Sequence, residues 1–239
     1  MSNGLENLKK MVYPGRMIII GKSPDGHTVV MYAITGRSPS SQARKLEVDE
    51  AKKGIFVKPT DEETLKKGNP DLLVYPAIMW NRGIAVSNGK QTEDVFTHLS
   101  PATGPVEILV KALASWQYEP DEPNFTPRIS GCITQGAGLN ILKRAQDGSV
   151  MRNSFEIPLI AGKGKMITTY TGINENPLPS FAGEPQDVDV SWSTAEDAAA
   201  ALYDALGPLP GEPDFRVTAA VVFAAPDGTI TKSITNRNN

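Results

Sequence analysis

The chain has 239 residues, of which 40% are hydrophobic and 21% charged, and its formal net charge is −3. This is the composition of a globular protein with one large domain or two small ones, which excludes a wholly disordered chain. The slightly acidic balance excludes a global basic field for binding nucleic acid or an anionic membrane, so an anionic ligand needs a local cluster of cations.

The only cysteine is Cys132, and there are two histidines. An internal disulfide is therefore excluded, and so is a zinc site built from His and Cys within one chain. The first ten residues lack the apolar segment of a secretion signal, and no apolar run approaches the ~20 residues of a membrane-spanning helix. We expect a soluble, cytoplasmic protein with no metal site, no membrane partner and no nucleic-acid partner.

Short strands separated by turn signals are predicted along most of the chain. The first pair, 16–21 and 27–35, is rich in β-branched residues and joined by Ser-Pro-Asp-Gly. A second pair, 72–80 and 83–87, is followed by an Asn88-Gly89 dipeptide, which indicates a tight turn. Six further strands are predicted at 128–134, 139–145, 150–157, 165–171, 215–224 and 229–234.

Helical periodicity occurs in fewer places. Residues 104–118 place apolar side chains at helical spacing, which predicts an amphipathic helix. Residues 193–206 begin with a capping box and end before a Gly-Pro pair, and a weaker helix is predicted at 61–67. About ten strands and two or three helices predict an α+β fold in which helices cover antiparallel sheets. We expect one domain (1–239) with frayed ends (about 1–12 and 236–239).

A basic, serine-rich loop at 36–45 is the first candidate site. Arg37 and Arg44 offer forked donors and Ser38 a hydroxyl, and together they could satisfy the oxygens of a phosphate. The alternative is a solvated basic loop without a ligand. The position of the loop at a strand end, with small residues that permit close approach, favours anion binding.

A polar loop at 118–128, stiffened by three prolines, is the second candidate. It contains Glu119, Asn124, Thr126 and Arg128, and a preorganised loop of this kind suits a polar ligand. The alternative is an acidic connector whose charges are merely solvated, and both interpretations remain open from the residues alone.

The segment 80–93, between these loops, is the third candidate, and Tyr75 lies in the strand predicted before it. The Asn88 side chain could read a carboxamide or a ribose, whereas the alternative is an ordinary hairpin turn at Asn88 and Gly89. Tyr75 is either a core residue or, at a strand end that faces a cleft, a functional phenol. The residues alone leave both choices open.

Five short motifs occur in a fixed order from Tyr13 to about Phe223: Tyr13-Pro-Gly-Arg16, Gly36-Arg37-Ser38 with Arg44, Ala85-Val-Ser-Asn-Gly89 with Thr92, Tyr118-Glu119 through Thr126-Pro-Arg128, and Val217-Thr-Ala-Ala220. In this order they resemble the archaeal-type IMP cyclohydrolases. The shared order is more specific than any one motif. The resemblance covers most of the chain but is weak at 45–67 and 172–213.

The resemblance implies an enzyme that closes the purine ring, converting 5-formamidoimidazole-4-carboxamide ribonucleotide to IMP with loss of water. It also implies a four-layer αββα core like that of N-terminal-nucleophile hydrolases, but without a processed N-terminal nucleophile. No metal, redox cofactor or covalent nucleophile is required. The expected partner is a small purine nucleotide, and exposed sheet edges favour a homo-oligomer.

This reaction needs a proton acceptor, a group at the formyl oxygen and a phosphate site. We assign Glu119 as the acid/base carboxylate, with Glu122 as its substitute. Tyr75 is expected to orient or protonate the formyl oxygen. The other assignments are Arg44 as a catalytic residue that also holds the 5′-phosphate with Arg37 and Ser38, and Asn88, Asn124, Thr126 and Arg128 as readers of the carboxamide and ribose.

Two rival functions remain. One is an amidohydrolase or acyltransferase on the same sheet architecture, because a fold does not fix a function; that enzyme would need an accessible nucleophile. The other is a non-catalytic purine-ribonucleotide-binding protein, which would keep the same loops but show no turnover.

Overall fold

The structure is a computed structural model that describes residues 5–237. Within that range it has thirteen strands and six helices, preceded by a 3-10 turn at Leu8–Lys10. The strands are β1 (Arg16–Lys22), β2 (Thr28–Thr35), β3 (Arg44–Asp49), β4 (Gly54–Pro59), β5 (Pro76–Trp80), β6 (Ile84–Ser87), β7 (Arg128–Ile133), β8 (Ala137–Arg144), β9 (Val150–Ile157), β10 (Lys163–Thr168), β11 (Gln186–Asp189), β12 (Arg216–Ala224) and β13 (Ile230–Asn236). The helices are α1 (Pro39–Gln42), α2 (Glu62–Lys66), α3 (Pro70–Leu73), α4 (Gln91–His98), α5 (Pro105–Ala112) and α6 (Ala195–Ala205).

The strands form two sheets. The first has six strands in the order β11-β10-β1-β2-β12-β13, and the second has seven in the order β3-β4-β5-β6-β7-β8-β9. Every neighbouring pair in both sheets is antiparallel. The α+β fold class with antiparallel sheets is therefore confirmed.

Alternation of side chains gives β1 two buried faces. Ile18 belongs to a hydrophobic cluster that also contains Ile78 of the seven-stranded sheet. The next residue, Ile19, belongs to a second cluster that contains Leu202 of α6. The seven-stranded sheet has a third cluster, in which buried β-strand residues meet α4 and α5. Successive residues of one strand thus contact different elements.

Some predicted elements differ from those observed. Strands β3, β4 and β11 escape prediction because their half-exposed sequences mix charged and apolar residues without clear alternation. Helix α4 escapes it because polar residues, Gln91 and Thr92, occupy its buried face. The predicted strand 72–80 is helix α3 followed by β5, since Asn69 caps a helical turn that begins at Pro70.

The hairpin turn expected at Asn88 and Gly89 is wrong. Strand β6 pairs with β5 and β7, and the chain continues from Gly89 into α4. Asn88 is fully buried, and its Nδ2 donates to the main-chain oxygen of Pro127 at 2.9 Å while its Oδ1 accepts from the main-chain nitrogen of Ile129 at 2.9 Å. The Asn-Gly pair here connects a strand to a helix, because the side-chain amide bonds main-chain groups beyond the strand end.

The described chain ends are packed, which is at odds with the frayed ends expected from the sequence. Leu5 and Leu8 are buried in the cluster that contains α6. Asn236 exchanges two hydrogen bonds with the main chain of Leu46, with distances of 3.0 and 3.1 Å. The remainder of the expected frayed ends, 1–4 and 238–239, lies outside the described residues. None of the helices described is long and apolar enough to cross a membrane.

Candidate active site

A pocket of about 300 Å³ lies where β1 and β3 begin, at Arg16 and Arg44. The basic loop and the polar loop predicted from the sequence both contribute to it. A larger cavity, about 620 Å³, lies at the opposite ends of β1 and β12 and contains none of the predicted residues. The smaller pocket is lined by six of the nine predicted site residues: Arg37, Ser38, Arg44, Glu119, Asn124 and Thr126.

Glu119 is held beside two arginines. Its Oε1 accepts a hydrogen bond from Arg16 Nη2 at 2.6 Å, and Arg128 Nη1 lies 3.9 Å from the same oxygen. The side chain is buried, and the main-chain N–H of Glu119 donates to Thr126 O at 2.9 Å, which fixes the loop. Burial raises the pKa of Glu119 above its ordinary value, and the two guanidinium groups oppose that rise. Such a carboxyl group is suited to exchange protons.

Arg16 reaches Glu119 because the chain turns sharply before β1. Gly15 has a φ of +78°, and a Cβ there would lie 2.0 Å from Thr169 Oγ1. The main-chain nitrogen of Arg16 donates to the same Thr169 Oγ1 at 3.1 Å. The Arg16 Nε is buried and has no hydrogen-bond partner among the described residues, so this donor is available to a ligand. Arg16 is not among the predicted site residues, although a charge that begins an apolar strand was a usable signal.

Hydroxyl groups form a second feature of the pocket. Thr126 donates from its main-chain nitrogen to Asp121 Oδ1 at 2.6 Å and from its hydroxyl to Asp121 Oδ2. The Tyr170 hydroxyl lies 2.5 Å from Thr126 Oγ1 and must donate to it, because the single Thr126 hydroxyl proton is already committed to Asp121. Burial raises the pKa of Tyr170 above its ordinary value. Asp121 and Tyr170 line the pocket but are not predicted site residues.

The serine-rich loop supplies the other cations of the pocket. Arg44 is 3% exposed, and its Nε donates to Ser41 O at 2.8 Å while its buried Nη1 has no partner among the residues described. Ser38 caps α1 by accepting from the main-chain nitrogen of Ser41 at 3.1 Å. Arg37 Nη1 donates to Glu175 O at 2.9 Å. A buried guanidinium with an unused donor, next to serine hydroxyls, is suited to a phosphate.

The two carboxylates of the polar loop that were predicted as acid/base groups, Glu119 and Glu122, occupy different environments. Glu119 lines the pocket, whereas Glu122 is exposed and does not. Asn124 also lines the pocket, and its Oδ1 accepts from the main-chain nitrogen of Leu178 at 2.9 Å. This bond joins the polar loop to the segment that resembles the family only weakly. The geometry therefore favours Glu119 over Glu122 as the functional carboxylate.

Three predicted residues do not line the pocket. The side-chain amide of Asn88 bonds main-chain groups of the protein, and Arg128 is near the site because its Nη1 lies 3.9 Å from Glu119 Oε1. The hydroxyl of Tyr75 lies 2.8 Å from that of Tyr32, and both tyrosines are buried. Burial raises the pKa of Tyr32 well above its ordinary value, and the charges of Arg16 and Arg44 oppose that rise. The tyrosine pair therefore lies in the protein interior, outside the lining of the pocket.

The chain is similar in sequence to known proteins over most of its length. A family model described as IMP cyclohydrolase-like protein matches residues 13–228, which include all the pocket residues named above. The chain is similar to a protein named IMP cyclohydrolase from Methanopyrus kandleri, with 35% identity over 125 residues, or 52% of this chain and 60% of that protein. Proteins of the same name from Methanothrix thermoacetophila and Methanocaldococcus jannaschii are 31% identical over 170 residues and 27% identical over 191 residues. These matches cover 70% and 79% of this chain, and 78% and 84% of the relatives.

Proposed function

The chain belongs to the IMP cyclohydrolase-like family, and we propose that it catalyses the reaction for which its relatives are named, with Glu119 as the acid/base group. As an IMP cyclohydrolase of purine biosynthesis, it closes 5-formamidoimidazole-4-carboxamide ribonucleotide to IMP and releases one water. One observation carries the assignment of the site: the buried Glu119 carboxylate, bonded to Arg16 at 2.6 Å, shares a pocket with the buried and unused donor of Arg44.

Ring closure forms one C–N bond and breaks one C–O bond. The carboxamide nitrogen attacks the formyl carbon and gives a proton to Glu119, while negative charge develops on the formyl oxygen beside Arg16. Glu119 returns the proton to that oxygen. The resulting hydroxyl leaves as water when the proton of the formamido nitrogen is added to it. Because both reacting groups belong to one molecule, orientation supplies a large part of the rate.

The 5′-phosphate is assigned to the serine-rich loop. Arg44 supplies a guanidinium that is already buried, and the unused Nη1 donor would otherwise remain unsatisfied. Ser38 and Ser40 line the same pocket; because their hydroxyls bond each other at 3.1 Å, one of the two protons is left for the phosphate. Ser41 also lines the pocket, but its hydroxyl donates to Ser38 O at 2.9 Å, and the half-buried Arg37 adds a further cation. Fixing the phosphate in this way leaves the imidazole ring to be placed against Glu119.

The remaining substrate contacts are assigned to the hydroxyl and amide groups of the pocket. Thr126 and Asn124 line it, and we assign them to the ribose and carboxamide. Tyr75 does not line the pocket, and its hydroxyl is bonded to that of Tyr32 at 2.8 Å; its assignment to the formyl oxygen rests on the family resemblance. If Tyr32 donates to Tyr75, the Tyr75 proton is free to point to the substrate.

We also propose how the sheets and helices are layered. Three hydrophobic clusters support a four-layer αββα domain. The first lies between the two sheets, the second between the six-stranded sheet and α6, and the third between the seven-stranded sheet and helices α4 and α5. That arrangement is the core expected for an N-terminal-nucleophile-hydrolase-like fold without processing. We also propose a homo-oligomer, because among residues 5–237 the outer strands of both sheets have a neighbouring strand on one side alone. Light scattering of the purified chain distinguishes this assembly from a monomer.

Acyl transfer through a protein nucleophile is less well supported. Cys132 is fully buried outside the pocket, and burial raises the pKa of its thiol to about 12. Serine hydroxyls line the pocket, but neither His27 nor His98 lines it to act as their base. The geometry supplies a carboxylate between cations, which suits proton transfer within a bound substrate.

Incubation of the purified protein with the formamido ribonucleotide tests the function directly. We expect a product whose mass is lower by one water and which co-elutes with IMP. Its rate of formation should exceed the uncatalysed rate and scale with the amount of protein. Binding without product formation would instead support a non-catalytic nucleotide-binding protein, and release of formate would support an amidohydrolase.

A further inference from the structure

Arg128 is positioned by neutral groups. Its Nε donates to Gln117 O at 2.9 Å, its Nη1 donates to Gln91 Oε1 at 3.1 Å, and its guanidinium lies 4.9 Å from the centroid of the Trp116 ring. The same Nη1 is 3.9 Å from Glu119 Oε1, which is too far for a hydrogen bond. Arg128 therefore acts on Glu119 through its charge, while other groups determine where that charge lies.

The orientation of the Gln91 side-chain amide is dictated by its neighbours. Asn88 donates to Pro127 O and accepts from Ile129 N, so its amide oxygen and nitrogen cannot be exchanged. The same Asn88 Oδ1 accepts from Gln91 Nε2 at 3.0 Å. Gln91 is fully buried, and its Oε1 must therefore face Arg128 as an acceptor.

Gly89 provides the space for this contact. A Cβ at Gly89 would lie 2.6 Å from Arg128 Nη1 and 2.5 Å from Gln91 Oε1. Both distances are shorter than any real carbon contact, so a larger residue would displace the hydrogen bond between these two side chains. In the sequence 88–91, Asn88 thus orients the Gln91 amide, Gly89 leaves the space for the contact, and Gln91 supplies the acceptor for Arg128.

The neutrality of Gln91 has an electrostatic consequence. Within 5–237, Glu119 is the carboxylate within ion-pair distance of Arg128. A carboxylate at position 91 would pair with Arg128 and would also add negative charge near Glu119. A neutral acceptor holds the guanidinium in place without competing for its charge.

We infer that Gln91 is a positioning residue of this active site. Asn88 orients the Gln91 amide, and Gln91 holds the Arg128 guanidinium beside Glu119 without forming an ion pair with it. The effect on catalysis rests on the proposed function. The effect on Glu119 does not, because the carboxyl group can be titrated without substrate.

The test compares Gln91→Glu and Gln91→Met with the wild type. Glu93→Gln, which changes the charge on the exposed side of the same helix, is the control. Carbon-13 NMR titration gives the pKa of the Glu119 carboxyl, whose signal is identified by its absence from Glu119→Gln. Steady-state kinetics over a range of pH gives kcat, KM and the acid limb of kcat/KM.

We expect Gln91→Glu to raise the pKa of Glu119 by about one unit and to move the acid limb of kcat/KM to higher pH. Gln91→Met should lower kcat by about tenfold to a hundredfold, with KM nearly unchanged because the phosphate contacts are intact. Glu93→Gln should change neither quantity. Gly89→Ala, which crowds the same contact, should lower kcat as Gln91→Met does.

An unchanged Glu119 pKa in Gln91→Glu, or a normal kcat in both Gln91→Met and Gly89→Ala, overturns the inference. A pKa shift of equal size and opposite direction in the Glu93→Gln control, which removes a negative charge, overturns it too, because the effect would then be a general one of charge. If the wild type forms no IMP, the proposed function fails, and the titration still decides whether Gln91 sets the environment of Glu119.

Discussion

Arg16 Nη2 donates to Glu119 Oε1 at 2.6 Å across 103 residues of sequence. Arg16 begins β1 of the six-stranded sheet, and Glu119 precedes β7 of the seven-stranded sheet. The bond therefore connects the first residue of β1 to the loop that leads into β7, at the pocket. Both side chains are buried, so the charge of each is compensated mainly by the other. This pair therefore contains both a contact between distant parts of the chain and the proposed acid/base group.

The first prediction concerns pH. Burial raises the pKa of Glu119 above the ordinary glutamate value of 4.5. If the ionised carboxylate accepts the substrate proton, kcat/KM should be full above the raised pKa and should fall as the pH drops through it. A pH profile measures this acid limb. A limb at or below 4.5, or an identical limb in Glu119→Gln, would exclude Glu119 as its source.

The second prediction concerns the phosphate. Arg44→Ala removes a buried guanidinium that has an unused donor, and charge-assisted hydrogen bonds of this kind contribute about 1.5–3 kcal/mol. We therefore expect KM for the nucleotide to rise by about tenfold to a hundredfold. Lys45→Ala is the matched control, since this neighbouring cation does not line the pocket. An unchanged KM in Arg44→Ala contradicts the phosphate assignment.

The third prediction separates catalysis from packing in the tyrosine pair. Tyr75→Phe and Tyr32→Phe each remove one hydroxyl from the same 2.8 Å hydrogen bond, so they should lower the free energy of unfolding similarly, by about 1–3 kcal/mol. If Tyr75 contacts the formyl oxygen, kcat should fall further in Tyr75→Phe. Urea unfolding and kcat measured on both variants make the comparison. Equal kcat values would remove Tyr75 from the reaction.

The fourth prediction concerns the turn that places Arg16. Gly15→Ala should destabilise the protein by at least about 1–3 kcal/mol, because the residue combines a φ of +78° with a Cβ position 2.0 Å from Thr169 Oγ1. Gly26→Ala is the control, since Gly26 has a φ of +93° but no atom within 4 Å of its Cβ position. The difference between their urea midpoints isolates the crowding. Equal midpoints would show that the turn tolerates a side chain.

The sequence predicts the strands best where apolar residues run continuously. Arg16–Lys22 and Thr28–Thr35 are clear because their buried side chains are almost all apolar. Helix α4 is hidden because its buried positions are Gln91 and Thr92, whose role is hydrogen bonding. Local patterns do not reveal a polar residue that is buried by contacts from a distant part of the chain.

The two candidate loops could be predicted from their composition, but the partner of Glu119 could not. Arg16 lies in another strand, and only the folded sheets bring it to the carboxylate. Asn88 was expected to contact ligand, yet its amide bonds the protein. An isolated Asn gives no sequence signal that distinguishes these uses, because either one needs the same amide group.

The rate of IMP formation by Glu119→Gln at saturating substrate measures directly whether Glu119 is the acid/base group. Glu122→Gln, in the same loop but exposed, is the matched control. We predict that Glu119→Gln lowers kcat by about 10²–10⁴, the range for loss of a general acid/base, while Glu122→Gln retains the wild-type rate. A Glu119→Gln enzyme that forms IMP at the wild-type rate would contradict the assignment of Glu119 as the acid/base group.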